Sequence, residues 1–211
     1  MRTLAVVCIY SEAYKTRFEV LKASVEHYIP SADIIEYRYE DLVASRRLNA
    51  AYDLPVDILA FRPTAIRETL EKGYDKVLFL GADVEFFDLP WKMLIDGVDM
   101  VVTPHFLQPK HDTTQAVDIA RAGQFNTDCV MYNNTTNTRR FLRWQEYMHE
   151  NLFETNEKYF YDQTWLGFCT SFCDVKVVRD PAYNYAYWRY RDDGDWDDVS
   201  DRLVSFQYSG S

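Results

Sequence analysis

Asp83 and Glu85 follow an apolar run, Val77-Leu78-Phe79-Leu80, and are the acidic pair best placed to do chemistry in this 211-residue chain. On an extended backbone, residues two apart face the same side, so both carboxylates can converge on one metal ion or one ribose. A strand end followed by solvated turn acids is the plainer alternative. Other chemistries find less support. Cys8, Cys129, Cys169 and Cys173 give one C-x-x-x-C spacing with no second cysteine or histidine pair, so no zinc pattern is complete and reduced thiols are expected. The acidic tract Asp192-Asp193-Gly194-Asp195-Trp196-Asp197-Asp198 lacks the turn glycine of a calcium loop and has Val204 where the closing glutamate belongs, so it reads as a solvated loop.

The elements around the acidic pair follow from apolar patterning. Residues 4–9 read as a buried first strand, and Phe18, Leu21, Val25 and Tyr28 fall on one face of the helix after it. Residues 34–39 alternate as a second strand. Arg62-Pro63 reads as the start of a helix carrying Ile66 and Leu70 and stopping at Gly73. The acid-tipped strand is third, and residues 99–104 make a fourth, ended by Pro104. Residues 107–123 are polar and suggest a loop or short helix. Thr135, Thr136 or Asn137 caps a helix with Phe141, Trp144, Met148 and Leu152 on its buried stripe, and residues 175–178 form a late strand. Strands alternating with helices predict one α/β domain over residues 1–211, with a parallel-rich sheet and ligands at the strands' carboxyl ends.

Composition narrows the partners. A formal charge of −10 argues against a wide basic surface for nucleic acid, and Arg46-Arg47 and Arg139, Arg140 and Arg143 read as solvated faces. The 47% apolar fraction excludes disorder, and 16 Tyr with 13 Phe supply rings that stack on bases or sugars. Met1 runs directly into a strand and no window reaches membrane-span length, so a cytoplasmic protein is expected.

Several short patterns then fall into a familiar order. Leu80-Gly81-Ala82-Asp83 matches a Leu-Asp-Ala-Asp form of the Asp-x-Asp motif, and Phe61-Arg62-Pro63 a Lys-Pro helix start. Thr103-Pro104-His105-Phe106 is similar to a Pro-His element, and Gly123-Gln124-Phe125-Asn126-Thr127-Asp128 to a Phe-Asn-x-Gly segment. Tyr161-Asp162-Gln163-Thr164-Trp165-Leu166 matches an Asp-Gln pair. Tyr183-Asn184-Tyr185-Ala186-Tyr187-Trp188 and Phe206-Gln207-Tyr208-Ser209-Gly210 match Tyr-Asn-x-Ala-Tyr-Trp and Phe-His-Phe-Ser-Gly segments. Over nearly the whole chain this resembles the GT-A class of glycosyltransferases, in its bacterial and phage members. Gly81 replaces the first acid of the motif, and Gln207 a histidine that often completes the metal shell.

The resemblance implies a GT-A, Rossmann-like α/β domain with a mixed, mostly parallel sheet and helices on both faces. It implies sugar transfer from a nucleoside-diphosphate sugar, expected to be a UDP-sugar, to a hydroxyl acceptor: a saccharide, or a modified DNA base in a phage. Asp83, Glu85 and Gln207 are the expected ligands of Mn2+ or Mg2+, with Gly81 and Gln207 departing from the family pattern. Cys8, Ile9 and Tyr10 would read the base, Arg62, Gly81, Ala82 and Asp83 hold the diphosphate, and Asn126 bind sugar hydroxyls. Asp162 and Gln163 would lie beneath the sugar, with Gln163 near the anomeric carbon if configuration is retained and Asp162 as general base if it is inverted; the Asp-Gln likeness leans to retention. His105, Tyr185 and Trp188 would meet the acceptor. Plainer alternatives stand beside these roles: an exposed helix-start charge at Arg62, a first-turn carboxylate at Asp162, a satisfied His105, and core packing for Tyr10 and the C-terminal aromatics. A chain ending just past Gly210 is expected to be a minimal enzyme. A noncatalytic sugar-nucleotide-binding domain is the alternative function. A nucleotidyltransferase is another, but Tyr10-Ser11-Glu12-Ala13 lacks its glycine-rich phosphate loop.

Overall fold

The computed structural model describes residues 2–45, 47, 54–104, 125–152, 161–187 and 196–208. Six strands form the main sheet: β1 (Arg2–Tyr10), β2 (Asp33–Arg38), β3 (Tyr74–Leu80), β5 (Met100–Pro104), β6 (Phe125–Asn133) and β7 (Val175–Val177). Their order is β2-β1-β3-β6-β5-β7. β1 runs parallel to β2 and β3, and β5 parallel to β7, while β6 is antiparallel to both its neighbours. The sheet is therefore mixed and mostly parallel, as the GT-A resemblance implies; the alternation of elements by itself predicts the parallel-rich part.

The continuous apolar runs in β1 and β3 suit strands covered on both faces. Leu4, Val6, Cys8, Leu78, Leu80, Cys129 and Met131 face α1 (Lys15–Tyr28), whose Phe18, Leu21 and Val25 are buried on them. On the other face, Ala5, Val7, Val77, Phe79, Val130 and Tyr132 pack with Phe61, Ala65, Ile66 and Leu70 of one helix and Phe141 and Leu142 of another. α2 (Tyr39–Ala44) follows β2, and those two covering helices are α3 (Leu54–Glu71) and α4 (Thr136–Leu152). Each large side chain so buried contributes about 1.5–3 kcal/mol.

Three expectations are corrected. The helix expected to start at Pro63 begins earlier, at Leu54, with Pro63 inside it. A proline within a helix costs about 3 kcal/mol, and burial of the apolar face around it, from Phe61 to Leu70, outweighs that cost. Tyr39 opens α2 rather than ending β2. The acid-tipped strand stops at Leu80; Gly81-Ala82-Asp83 is a turn in which the Val84 N–H donates to the Gly81 carbonyl at 3.2 Å. Glu85 lies in a separate strand, β4 (Val84–Phe86), so Asp83 and Glu85 do not share one extended segment.

β4 belongs to a second sheet of order β4-β9-β8, with β8 at Tyr185–Ala186 and β9 at Ser205–Gln207. β9 pairs antiparallel with β4, setting Gln207 opposite Val84. The Tyr208 N–H then donates to the Asp83 carbonyl at 2.9 Å, so the small sheet is tied to the end of β3. All four cysteines are buried free thiols. Among the described residues, no helix is long and apolar enough to cross a membrane.

Candidate functional site

The carboxyl end of β3, the start of β6, the middle of α3 and the end of β9 meet at one place. From α3, Arg62 enters with only 7% of its surface exposed. Its guanidinium lies over the Phe79 ring, 4.3 Å from the centroid. Nη1 donates to the Thr127 carbonyl at 3.1 Å, and Nη2 to Asp128 Oδ1 at 3.2 Å. A desolvated guanidinium against a ring face and a carboxylate is held both electrostatically and by cation–π attraction. Arg62 is thus a buried, ion-paired residue in mid-helix and not an exposed helix-start charge.

A chain of amides holds the other oxygen of Asp128. The Asp128 N–H donates to Asn126 Oδ1 at 2.7 Å, Asn126 Nδ2 donates to Gln207 Oε1 at 2.9 Å, and Gln207 Nε2 donates to Asp128 Oδ2 at 2.5 Å. A backbone N–H can only donate, so it fixes the orientation of Asn126, and Asn126 in turn fixes that of Gln207. Gln207 therefore turns its nitrogen to the carboxylate. Asp83 is buried beside this group, and its Oδ1 faces the turn at Gly81. Cys8 lies below: burial pushes its thiol up, the Asp83 carboxylate pushes the same way and Arg62 opposes. Cys8 and Ile9 themselves are buried backbone support.

Other sequence candidates lie elsewhere. The Tyr10 ring stacks on Phe18 with centroids 4.2 Å apart, its hydroxyl donates to Glu36 at 2.9 Å, and only 4% of the residue is exposed. It packs under α1, which corrects its expected role as a base-stacking ring. Burial and the Glu36 hydrogen bond push its hydroxyl up to about 12. Tyr185 is wholly buried against Trp196 and Phe206, leaving no surface for an acceptor. Glu85 accepts a short hydrogen bond from the Tyr208 hydroxyl. Ala82 is buried in the turn before Asp83. Asp162 and Gln163 open α5 (Tyr161–Gly167), which packs on β6 and α3; Leu166 of that helix lines a small pocket with Arg62 and Thr127. The side chains of Asp162 and Gln163, and all of His105 and Trp188, lie outside the described residues.

Beyond β9, on the face opposite Gln207, Phe206 and Tyr208 join Phe87, Tyr187, Trp196, Ser200, Asp201 and Leu203 around a cleft of about 720 Å³. Asp128 is the site residue that sequence reasoning missed. A signal was present: it stands where the Phe-Asn-x-Gly segment has glycine.

No protein-family model matches the chain, and no curated protein does. Solved structures do. The galactosyltransferase LgtC, in complex with donor and acceptor sugar analogues, superposes with a TM-score of 0.62 over 98% of this chain and 87% of its own, at 15% identity. The glycosyltransferase GlyE of Streptococcus pneumoniae TIGR4 gives 0.66 at 15% identity over the whole chain, which spans 55% of GlyE. A glycosyltransferase involved in glycosylation of the major capsid of PBCV-1 gives 0.66 at 11% identity, covering 99% of this chain and 95% of that one. This chain has the GT-A fold. Identities so low speak to architecture alone. Within the GT-A fold of this chain, the Arg62–Asp128–Gln207 group occupies the end of the sheet where open α/β folds hold ligands.

Proposed function

We propose that the chain is a glycosyltransferase that moves a sugar from a nucleoside-diphosphate sugar, a UDP-sugar first among them, to a hydroxyl of a carbohydrate or modified-base acceptor. The observation that carries this reading is the buried Arg62 guanidinium, held by Asp128 and the Thr127 carbonyl, with Asn126 and Gln207 fixing Asp128 in turn and Asp83 beside them, at the carboxyl end of β3 in a GT-A fold. Breaking the bond from the anomeric carbon to the diphosphate leaves growing negative charge on the leaving group, and a site of this class must stabilise it. Arg62 supplies one fixed cation for that charge. Asn126, Asp162 and Gln163 are the groups we assign to the sugar, with retention of configuration; the packing of α5 on α3 and β6 supports that assignment. The aromatic cleft beyond β9 is suited to the acceptor, because sugar and base faces alike stack on rings.

A divalent cation fits the donor set. Among the described residues no three His, Cys, Asp or Glu side chains meet in one group. Mg2+ and Mn2+ do not need such a cage: hard cations of this kind use one or two carboxylates together with substrate phosphate oxygens. Asp83 is the carboxylate we assign to it, and the bound cation would supply further charge stabilisation for the leaving diphosphate.

Thermal-shift measurement against a panel of nucleoside-diphosphate sugars, with and without Mn2+, tests the reading. At a hundredfold excess over Kd a donor adds about 2.7 kcal/mol, which raises the midpoint of a protein of this size by roughly 5–10 °C. A flat response to every donor would remove the glycosyl-transfer reading.

A further inference from the structure

We infer that Asp128 is the second carboxylate of the donor site, supplying from β6 the acid that the end of β3 lacks, and that residue 81 is glycine to make room for it. The inference rests on the glycosyl-transfer reading above. It begins with Gly81, whose backbone needs no glycine: the left-handed glycines of the described chain are Gly73 and Gly97. Space is what excludes a side chain. A Cβ on Gly81 would stand 2.9 Å from Asp83 Oδ1 and 3.0 Å from both Cβ and Cγ of Asp128. Asp83 and Asp128 therefore crowd one point, the point from which a side chain at 81 would project.

Strand geometry explains why an acid can move between these positions. β3 and β6 are antiparallel, with Leu80 opposite Cys129, and the pairing continues to Gly81, whose N–H donates to the Asp128 carbonyl at 2.9 Å. Residues directly opposed across an antiparallel pair project to the same face with their Cβ atoms close together. An acid at 128 thus reaches the region an acid at 81 would reach, and both cannot be present without displacing one another. The sequence shows the same exchange, with glycine at 81 and aspartate at 128 where the resembled motifs carry aspartate and glycine.

Asp128 is also held as a ligand-bearing group is held. Arg62 fixes Oδ1 and Gln207 Nε2 fixes Oδ2, so each oxygen keeps its direction while 23% of the side chain stays open to solvent. Gln207 faces the carboxylate with a nitrogen that has no lone pair to offer a cation, which makes it a positioning residue for Asp128. The ligand class is a hard divalent cation shared with a nucleoside diphosphate.

The test is calorimetric titration of Mn2+ into protein saturated with UDP, alongside the Mn2+ electron paramagnetic resonance signal, for the parent, Asp128→Asn, Gly81→Asp, and Gly81→Asp combined with Asp128→Gly. Asp128→Asn keeps the shape and removes the charge, and is expected to weaken Mn2+ at least about tenfold while UDP without metal binds at least as tightly as in the parent, because a carboxylate that repels phosphate and pairs with Arg62 is gone. Gly81→Asp alone, with three acids where two fit, is expected to lower the melting temperature. The combined variant returns the acid to β3 and is expected to bind Mn2+ within about fivefold of the parent. Parental Mn2+ affinity in folded Asp128→Asn, or a folded combined variant as weak as Asp128→Asn, overturns the inference. So does a parent that binds UDP but no Mn2+, which leaves the donor-binding reading intact; failure of that reading shows instead as no affinity for any sugar nucleotide.

Discussion

Arg62 carries a full charge into a helix face whose neighbours Phe61, Ala65 and Ile66 are all core residues. Such a charge is stable there because Asp128, the Thr127 carbonyl and the Phe79 ring together replace water. Arg62→Met keeps the length of the side chain and leaves Asp128 with Gln207 alone. Breaking a fully buried ion pair costs about 3–5 kcal/mol; Asp128 keeps contact with water, so about 2 kcal/mol is expected. The same variant should weaken UDP by tenfold or more and leave the unphosphorylated nucleoside nearly unaffected, since a guanidinium recognises phosphate. Urea denaturation and calorimetry read the two effects; equal losses for UDP and the nucleoside would move Arg62 away from the diphosphate. At this scale the sequence was partly legible. Arg62, Asp83, Asn126 and Gln207 were marked by type and order, whereas Asp128 showed in the sequence as no more than a departure from the Phe-Asn-x-Gly segment, and its role comes from partners 66 and 79 residues away. Tyr10 and Tyr185 were ambiguous for a physical reason: an aromatic ring at a strand end has the same composition signal whether it packs inward or faces a ligand.

Asp99 does for the elements what Asp128 does for the site. It lies just before β5 and joins three of them: Oδ1 accepts from the Thr135 hydroxyl at 2.5 Å, and Oδ2 from Asn137 Nδ2 at 3.1 Å and the Asp174 N–H at 2.8 Å. These contacts tie the start of β5 to the first turn of α4 and the approach to β7. Burial works to raise its carboxyl, but the Thr135, Asp174 and Asn137 hydrogen bonds outweigh that and hold it below the usual range. A folded-state value below the unfolded one means that the stabilisation is complete above the unfolded value, about 3.9, and is lost as pH falls through the lowered folded value. Asp99→Asn should therefore cost about 2 kcal/mol in urea denaturation at pH 7 and less at pH 3. A penalty equal at both values would show that the charge plays no part. Elements with strong patterning were legible, including β1, α1, β3, β5 and α4. β6 was not, because it opens on the turn-like Phe125-Asn126-Thr127-Asp128 and its apolar residues do not alternate with polar ones. Its place between β3 and β5 is a long-range fact that no local window carries.

Residues 62, 81–83, 126–128 and 207 build the site, so it exists only when both sheets are formed and joined. The order of motifs along the chain foretold the fold class; the docking of the small sheet on β3 did not follow from it, since β8 and β9 have two and three residues and no periodicity to read. Strands that short open more readily than the core of a six-stranded sheet. Opening them would break the Tyr208 N–H bond to Asp83 and withdraw Gln207 from Asp128, and so dismantle the donor site. Any ligand that needs the intact site then opposes that opening by RT ln(1 + [L]/Kd). With UDP and Mn2+ at a hundredfold excess, exchange of the Val84–Phe86, Ser205–Gln207 and Tyr208 amides should slow by up to about a hundredfold. Amides of β2, at the far edge of the main sheet, should change little, because their local openings leave the site whole. Hydrogen-exchange mass spectrometry separates the two groups. Protection confined to β1 and β2, with β9 unchanged, would place the nucleotide away from Gln207 and detach the small sheet from donor binding.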